Sequence, residues 1–349
     1  MAWLTQDVSP GALAAFDALI DVRSPAEFAE DHLPGAINLP VLDDAQRAGV
    51  GTLYVQKSKF EARRLGAAMV ARNSATHLDG VLSDHPGGFR PLIYCWRGGQ
   101  RSGAMVSVMD QVGWPGTQLE GGYQTWRRHV VARLHDPAQA PRVILLDGPT
   151  GAGKTALLAA LSVRGVQTLD LEGLANHRGS LFGAGAEPQP GQKLFESRLT
   201  AALAACEPDR PVVVEAESSR IGRLIIPHGL WSAMKAAPVI TLDVPLAARV
   251  RRTVDEYADF ARDLSRLQDA IAALPAHHSR EARAAWLAQA RAGEVADLAE
   301  GLIRDHYDPA YRRSTARSAR AGLGQVRWDG TDAAMAAAAV ARLIEAQDG

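Results

Sequence analysis

Residues 91–102 read Pro-Leu-Ile-Tyr-Cys-Trp-Arg-Gly-Gly-Gln-Arg-Ser. The apolar run before the cysteine predicts a buried strand, and the apolar stretch from Ser102 onward predicts a helix. Cys95 therefore ends a strand and begins a loop that contains two glycines and two arginines, Arg97 and Arg101. Backbone N–H groups, a helix N-terminus and guanidinium groups all favour the thiolate and favour anion binding. The pattern predicts a reactive cysteine rather than a buried structural one.

The composition is that of an ordinary globular protein, with 349 residues, 47% apolar and 22% charged. This length predicts two or three domains. The net charge of −1 means that any binding of nucleic acid needs a local basic patch. The two cysteines, Cys95 and Cys206, form no disulfide framework, and we interpret Cys206 as a packing residue. The low cysteine content fits a reducing cytosol, so we expect a cytoplasmic protein. No apolar run reaches the ~20 residues of a membrane span, so we expect no membrane partner.

The order of the elements predicts an α/β protein. Strands and helices alternate over residues 10–136, which favours a parallel sheet domain. Two prolines interrupt residues 137–141, a predicted linker. A second α/β domain follows over 142–245. Residues 246–349 are rich in alanine and arginine and are interpreted mainly as a helical extension, which is also the candidate RNA-binding region.

A second motif predicts a phosphate-binding loop. Gly148, Gly153, Lys154 and Thr155 match the P-loop pattern, with Gly151 between them, after a predicted strand and before a predicted helix. The glycines let backbone N–H groups face phosphate oxygens, the lysine neutralises charge, and the threonine hydroxyl can bind Mg²⁺. No other metal site is predicted. The pattern recognises a pyrophosphate group and leaves open whether the ligand is a nucleotide.

Further polar side chains follow other predicted strands. Asp170, His177 and Arg178 come after one strand, and Glu215 ends another. Ligands of open α/β sheets gather at the carboxyl ends of strands, so these four residues are candidates for a second part of the phosphate site. The alternatives are a capped surface loop and a strand end with solvated acids.

A basic run lies near the C-terminus. Residues 312–327 contain five arginines and no acid, and aromatic residues flank them. Arginine beside aromatic side chains suits RNA phosphates and unstacked bases. The candidate residues for RNA binding are Arg312, Arg313, Arg317 and Tyr311, with Tyr307 and Trp328 as further flanking aromatics. A solvated helical face is the alternative.

Several stretches together resemble known families. Residues 19–28, 32–40 and 119–123 resemble a rhodanese domain. With the Cys95 loop, the phosphate loop and residues 60–67, 169–179 and 306–311, nearly the whole chain resembles the tRNA 2-selenouridine synthase family. The resemblance implies a rhodanese-like domain followed by a P-loop domain.

The resemblance also implies an activity. Members are described as replacing the sulfur of wobble 2-thiouridine with selenium through a geranylated intermediate. Selenophosphate and geranyl diphosphate would be co-substrates, the tRNA anticodon loop would be the binding partner, and selenophosphate synthetase would be a further partner. Cys95 would take up selenium, and the loop from Gly148 to Thr155 would bind phosphate.

One departure leaves alternatives open. Five residues separate Cys95 from Arg101, one more than is typical of sulfur-transferring rhodaneses, which gives the Cys-x5-Arg-Ser pattern of cysteine phosphatases. A cysteine-dependent sulfurtransferase or phosphatase with a regulatory nucleotide-binding domain is therefore the second hypothesis. The third is a nucleotide-gated RNA-binding module with an inactive rhodanese domain.

Overall fold

A computed structural model describes residues 3–180, 182–183, 187–275, 278–316 and 320–348. Up to residue 135 the elements are, in chain order, β1 (Trp3–Thr5), α1 (Pro10–Leu13), β2 (Ala18–Asp21), α2 (Pro25–Glu30), β3 (Ala36–Asn38), α3 (Asp44–Gln56), α4 (Lys59–Asp79), β4 (Pro91–Tyr94), α5 (Gln100–Val112), β5 (Thr117–Leu119) and α6 (Tyr123–His135).

The elements after residue 135 begin with a 3₁₀ turn and continue to the C-terminus. They are the turn (Pro137–Gln139), β6 (Val143–Asp147), α7 (Lys154–Val163), β7 (Thr168–Leu169), α8 (Leu171–Ala175), α9 (Gln192–Ala204), β8 (Val212–Glu215), β9 (Arg220–Ile221), β10 (Leu224–Ile225), α10 (His228–Ala236), β11 (Val239–Asp243), α11 (Leu246–Glu256), α12 (Ala258–Arg262), α13 (Leu264–Ala272), α14 (Arg280–Ala292), α15 (Val295–Leu302), a π-helical turn (Ile303–Tyr307), α16 (Asp308–Thr315), β12 (Gly322–Arg327) and α17 (Ala333–Asp348).

The chain divides into two compact units. The first comprises residues up to 134 together with 190–204, and the second comprises 135–189 and the residues from 205 onward. In the first unit a five-stranded sheet has the order β1-β5-β4-β2-β3, and all of its pairings are parallel. The predicted parallel α/β fold is confirmed here. Strand β4 is buried at every position, so the cysteine that follows it emerges from the centre of the sheet.

Local sequence explains where the elements of this unit begin. Helix α2 starts at Pro25 because Ser24 and Glu27 form a capping box, in which each side chain pairs with the backbone of the other. Proline fits the first helical position because its fixed φ is helical and its missing N–H would have no partner there. The predicted start of this helix is confirmed.

Helix α9 belongs to the first unit although the second unit flanks it in sequence. Trp126 Nε1 on α6 donates to Ser197 Oγ on α9 at 2.9 Å. Lys193 Nζ on α9 lies 2.6 Å from Glu30 Oε1 on α2. Arg127 on α6 forms a second ion pair, with Glu196 on α9. A buried hydrogen bond and two ion pairs therefore attach this helix to the rest of the first unit.

The second unit contains another parallel five-stranded sheet, with the order β12-β11-β6-β8-β7. Its core packs β6, β8 and β11 against α7 and α17 through residues such as Leu146, Leu158 and Val340. Strand β12 lies in the region that the sequence indicates to be mainly helical. Its two glycines, Gly322 and Gly324, weaken the strand pattern, and its pairing with β11 supplies the stabilisation.

Helices α11 to α16 form the rest of the second unit. Their own core contains Leu267, Ile271, Trp286, Leu298 and Leu302. The predicted helical spacing of Val295, Leu298 and Leu302 is confirmed by α15. Within the described part of the chain, no helix has the length and apolarity needed to cross a membrane.

Candidate active sites

Cys95 lies in a loop whose backbone is fixed by the segment after β5. Its carbonyl accepts a hydrogen bond from Tyr123 N at 2.8 Å. Gly98 has φ +63, and a Cβ there would lie 2.5 Å from the carbonyl oxygen of Leu119. A Cβ on Gly122 would overlap the Cys95 carbonyl. The two glycine-containing segments therefore pack backbone to backbone, which explains why both are glycine-rich.

The sulfur of Cys95 accepts from two donors. Gly99 N lies 3.3 Å and Ser102 Oγ lies 3.2 Å from Sγ. Gln118 Nε2 donates to Ser102 Oγ at 2.9 Å and to the Gly98 carbonyl at 2.6 Å, so it positions both the hydroxyl and the loop. Cys95 is only 4% exposed, at the start of the loop that leads into α5. Donors directed at a sulfur stabilise negative charge on it.

The two loop arginines have different environments. Arg101 Nη1 lies 2.8 Å from Glu27 Oε2, and Arg47 Nε lies 2.9 Å from the same oxygen. Burial raises the pKa of Glu27, but the ion pair with Arg101 outweighs it and the pKa lies below its usual value. Arg97 is exposed. The structure thus places Arg101 in a partly buried ion-pair network with Glu27 and Arg47, and Arg97 at the surface of the loop.

A buried arginine, which the sequence analysis did not single out, lies beside the loop, with its guanidinium 5.9 Å from the ring centroid of Trp96. Arg23 is 1% exposed and binds Asp21 through Nε and Nη2, the latter at 2.6 Å. Its guanidinium lies 4.1 Å from the ring centroid of Tyr123, whose hydroxyl donates to Asp31 at 2.7 Å. The local signal was Asp21-Val22-Arg23 at the end of a predicted strand.

The phosphate-binding loop has the backbone that its glycines require. Gly151 and Gly153 both have φ +77, and helix α7 starts at Lys154. A Cβ on Gly153 would lie 2.7 Å from the Trp328 ring, and one on Gly151 would lie 2.7 Å from the Arg249 carbonyl. The loop borders a cavity of 590 Å³. We call this cavity the cradle.

Three acids surround the loop. Glu172 and Glu217 line the cradle, and burial followed by mutual repulsion raises the pKa of Glu172 to about 8. Burial also raises the pKa of Glu217, against the opposing charge of Lys154. Glu215 lies beneath them: its Oε1 accepts from Glu172 N at 2.8 Å, its buried Oε2 has no hydrogen-bond partner, and burial raises its pKa to about 9. A cation at this edge of the sheet would relieve the repulsion.

A magnesium ion fits this arrangement. In the described ranges, no group of three or more His, Cys, Asp or Glu side chains is built to hold a metal ion. Mg²⁺ at a phosphate site needs only one or two protein oxygens, because phosphate and water supply the others. Thr155 Oγ1 lies 3.4 Å from Glu172 Oε2, which brings two oxygen ligands to the start of α7.

The structure brings together the other residues that the sequence singles out for this site. Asp170, His177 and Arg178 line the cradle with the phosphate loop. Asp170 also caps α8 by accepting from Gly173 N at 2.7 Å. Burial lowers the pKa of His177, whose Nδ1 accepts from Gly179 N at 3.1 Å. Glu215 is not in the cradle wall, and Glu217, two residues later, takes that position.

A further contact set braces the phosphate loop and was missed at the sequence level. Arg249 binds Asp308 through both Nη atoms at 2.7 and 2.8 Å and also donates to the Thr150 carbonyl at 3.3 Å. The Tyr311 hydroxyl bonds to Asp147, the last residue before the loop. Residues 306–311, part of the family resemblance, therefore include two that hold α16 against the phosphate loop.

The candidate tRNA-binding residues divide into three groups. Arg312 and Arg313 are exposed on α16. Tyr311 is half-buried beside the phosphate loop, and Arg317 lies outside the described residues. Trp328 is 3% exposed behind Gly153, so it is not available to stack on RNA bases, contrary to expectation. Its burial follows from its position at the end of β12 beside the guanidinium of Arg252.

Family comparisons match both parts of the chain. Residues 2–129 match the rhodanese-like domain, and residues 141–280 match the AAA domain of tRNA 2-selenouridine synthase. The structure and these matches define a rhodanese-like domain followed by a P-loop domain of the AAA class.

Two curated relatives carry the name tRNA 2-selenouridine synthase, and a solved structure resembles part of the chain. A tRNA 2-selenouridine synthase of Verminephrobacter eiseniae is 36% identical over 84% of this chain and 87% of its own length. One from Nitrosomonas europaea is 37% identical over 68% of this chain and 63% of its own. The N-terminal domain of a putative ATP/GTP binding protein from Clostridium difficile 630 is 34% identical over 36% of this chain and 98% of its own, with a TM-score of 0.31. The chain belongs to the tRNA 2-selenouridine synthase family, so the prediction of an enzyme is confirmed.

Proposed function

We propose that this protein replaces the sulfur of wobble 2-thiouridine in tRNA with selenium, in two steps that use geranyl diphosphate and then selenophosphate. The observation that carries the proposal is the Cys95 sulfur, which receives hydrogen bonds from Gly99 N and Ser102 Oγ at the start of a helix. Such a loop suits a thiolate and an oxyanion together. The names of the relatives supply the nucleoside product.

The first step uses the phosphate loop. The backbone N–H groups between Gly148 and Thr155 and the ammonium of Lys154 bind the diphosphate. The C1–O bond of the geranyl group breaks, pyrophosphate leaves with the bonding electrons, and the thiouridine sulfur attacks C1. Mg²⁺ at Thr155 and Glu172 would stabilise the charge of the leaving group.

The second step uses the Cys95 loop. Selenophosphate is an anion, and the N-terminus of α5 with the amide of Gly99 attracts it. The selenium of selenophosphate, held in the Cys95 loop, attacks C2 of the modified uridine. Geranylthiolate then leaves with the C2–S electrons, which is easier than expelling sulfur from an unmodified thiocarbonyl. Water attacks phosphorus, the P–Se bond breaks with its electrons staying on selenium, and phosphate is released. The enzyme that makes selenophosphate is the natural supplier of this site.

The test is mass spectrometry of tRNA nucleosides after incubation of the purified protein with 2-thiouridine tRNA. With geranyl diphosphate alone we expect geranylated 2-thiouridine, and with selenophosphate as well we expect 2-selenouridine. Lys154→Ala should prevent the first product, and Cys95→Ser should allow it while preventing the second. Cys206→Ser is the control and should behave like the unmodified protein. Direct selenation by Lys154→Ala without geranyl diphosphate would contradict the two-step proposal.

The structure gives the phosphatase hypothesis little support, because Arg101 is engaged by Glu27 at 2.8 Å. An arginine held by a carboxylate has part of its charge and its donors occupied. Turnover of an aryl phosphate that requires both Cys95 and Arg101 would instead favour the phosphatase hypothesis.

A further inference from the structure

A second, smaller cavity lies in the helical part of the second unit. Its volume is 60 Å³, and we call it the slot. Side chains from α11, α12, α13, α15 and the π-helical turn form most of its wall. Apart from Thr150, Ser180, Thr253 and two tyrosines the lining is apolar: Phe182, Val254, Phe260, Ala261, Leu267, Val295, Leu298, Ala299, Leu302 and Ile303.

The slot and the cradle share one wall. Thr150, Ser180, Tyr257 and Tyr307 line both cavities. The hydroxyls of Tyr257 and Ser180 lie 3.0 Å apart, and Tyr307 also hydrogen-bonds to Ser180. The guanidinium of Arg178 lies 5.0 Å from the ring centroid of Tyr257. A polar compartment that contains Lys154 and Arg178 as well as acidic side chains therefore meets an apolar one at a boundary formed by two aromatic rings.

We propose that the slot is the binding subsite for the prenyl chain of the diphosphate substrate, with Tyr257 and Tyr307 flanking its C1 atom. This inference rests on the proposed function and adds to it the residues that select the ligand. A molecule that fits both compartments carries a diphosphate at one end and an apolar chain at the other. A ribose and base in the slot would leave most of their polar groups facing apolar side chains, which costs free energy.

The position of the two rings suits the chemistry of an allylic diphosphate. When the C1–O bond breaks, positive charge develops on the allylic carbons, and aromatic faces attract a nearby cation. Pyrophosphate remains on the cradle side with Lys154, and the apolar chain remains on the slot side. The boundary thus separates the leaving group from the carbon that the thiouridine sulfur attacks.

Because the slot is smaller than a geranyl chain, we expect it to widen when geranyl diphosphate binds. An apolar cavity of about 150 Å³ holds benzene, which has only six carbons. The slot of 60 Å³ is too small for a ten-carbon chain without movement of its walls. Those walls are short helices that meet at loops, so a displacement of α12 and α13 relative to α15 would enlarge it.

The experiment compares binding of geranyl diphosphate and inorganic pyrophosphate to the full chain by titration calorimetry. We expect geranyl diphosphate to bind at least about tenfold more tightly, because burial of even two CH₂ groups supplies this factor. Ala299→Leu narrows the slot and should remove the preference while leaving pyrophosphate affinity unchanged. Ala290→Leu is the matched control, since Ala290 is equally buried in the helical core, 8% exposed against 7%, but does not line the slot.

A second variant keeps the test decisive if Ala299→Leu does not fold. Leu298→Ala enlarges the slot and should shift the preference from geranyl toward the longer farnesyl diphosphate. Equal affinity of the unmodified protein for geranyl diphosphate and pyrophosphate would overturn the inference, and so would identical chain-length preference in Leu298→Ala. If the preference is present and sensitive to these variants but no geranylated tRNA forms, the slot stands and the proposed function fails.

Discussion

The environment of the Cys95 sulfur depends on hydrogen bonds that run from Gln118 through Ser102 to the sulfur. Gln118 donates to Ser102 Oγ, and that oxygen lies 3.2 Å from Sγ. Ser102 and Gln118 are both buried. Because a hydrogen bond to a charged acceptor is stronger than one to a neutral acceptor, loss of the serine hydroxyl affects the thiolate more than the thiol. The sulfur that we propose to act in selenium transfer is therefore hydrogen-bonded by a buried neighbour, Ser102.

Ser102→Ala tests this dependence. Since a hydrogen bond to a charged group contributes about 1.5–3 kcal/mol, we expect selenium transfer to slow by about tenfold or more. The measurement is the single-turnover rate of 2-selenouridine formation from geranylated tRNA. Ser107→Ala on the same helix, whose hydroxyl bonds only to the Gly103 carbonyl among the contacts described, should leave the rate unchanged.

Glu27 supplies a stability contribution that depends on pH. Its folded pKa lies below the usual value, so the contribution is present above about pH 4.3 and is lost as the pH falls through the lowered value. We expect Glu27→Gln to lower the thermal unfolding midpoint at pH 7 by about 2–4 °C, equivalent to about 1 kcal/mol. The difference from the unmodified protein should narrow toward pH 4. Circular dichroism melts measure the unfolding midpoint at each pH, and Glu61→Gln on the exposed side of α4 is the control. A difference in midpoint between Glu27→Gln and the unmodified protein that stays constant across pH would contradict the charge argument.

At the scale of elements, local patterns could predict β4, β6 and the start of α2. Each is specified by residues adjacent in sequence: an apolar run before Cys95, an apolar run before Gly148, and the Ser24 cap. Strand β12 could not be predicted, because its stability comes from pairing with β11. For a similar reason the sequence pointed to Glu215 and not to Glu217, because the place of Glu217 in the cradle wall depends on how the chain turns after β8.

Helix α16 carries a prediction about tRNA. Arg312 and Arg313 are exposed there, so they can contact phosphates without rearrangement of the core. Each lost phosphate contact should reduce the log–log salt slope of tRNA affinity by about one unit. We therefore expect Arg312→Ala with Arg313→Ala to weaken binding of cognate and non-cognate tRNA alike. Arg63→Ala with Arg64→Ala, an adjacent exposed pair on α4, is the matched control.

Filter binding across salt concentrations measures both quantities. If affinity and slope stay unchanged in the α16 variant while its circular dichroism spectrum is intact, these arginines form only a solvated helical face.

At the scale of the whole molecule, the two sites lie in different compact units, Cys95 in the first and Lys154 in the second. Each unit has its own sheet and its own apolar core. We therefore expect that the two proposed steps can be inactivated independently, since a substitution in one loop leaves the packing of the other core unchanged.

A mixture of Cys95→Ser and Lys154→Ala proteins tests this independence. Neither variant alone should form 2-selenouridine, but the mixture should, because geranylated tRNA released by the first can bind to the second. The yield should fall as protein concentration is lowered, since transfer between molecules requires diffusion. Nucleoside mass spectrometry follows it. Absence of product from the mixture, with geranylated tRNA accumulating, would contradict release of the intermediate.

The placement of α9 limits where the chain can be truncated and where its gene can recombine without loss of part of the first unit. The polypeptide passes between the two units three times, at residues 134–135, 189–190 and 204–205. A fragment that stops after α6 would lack the helix whose Ser197 pairs with Trp126 and whose Lys193 pairs with Glu30. The gene segment for the rhodanese-like unit is thus interrupted by coding sequence for its neighbour. Recombination at the linker that replaces the segment after residue 134 would remove α9 from the first unit, and recombination that replaces residues up to 134 would leave the original α9 in place.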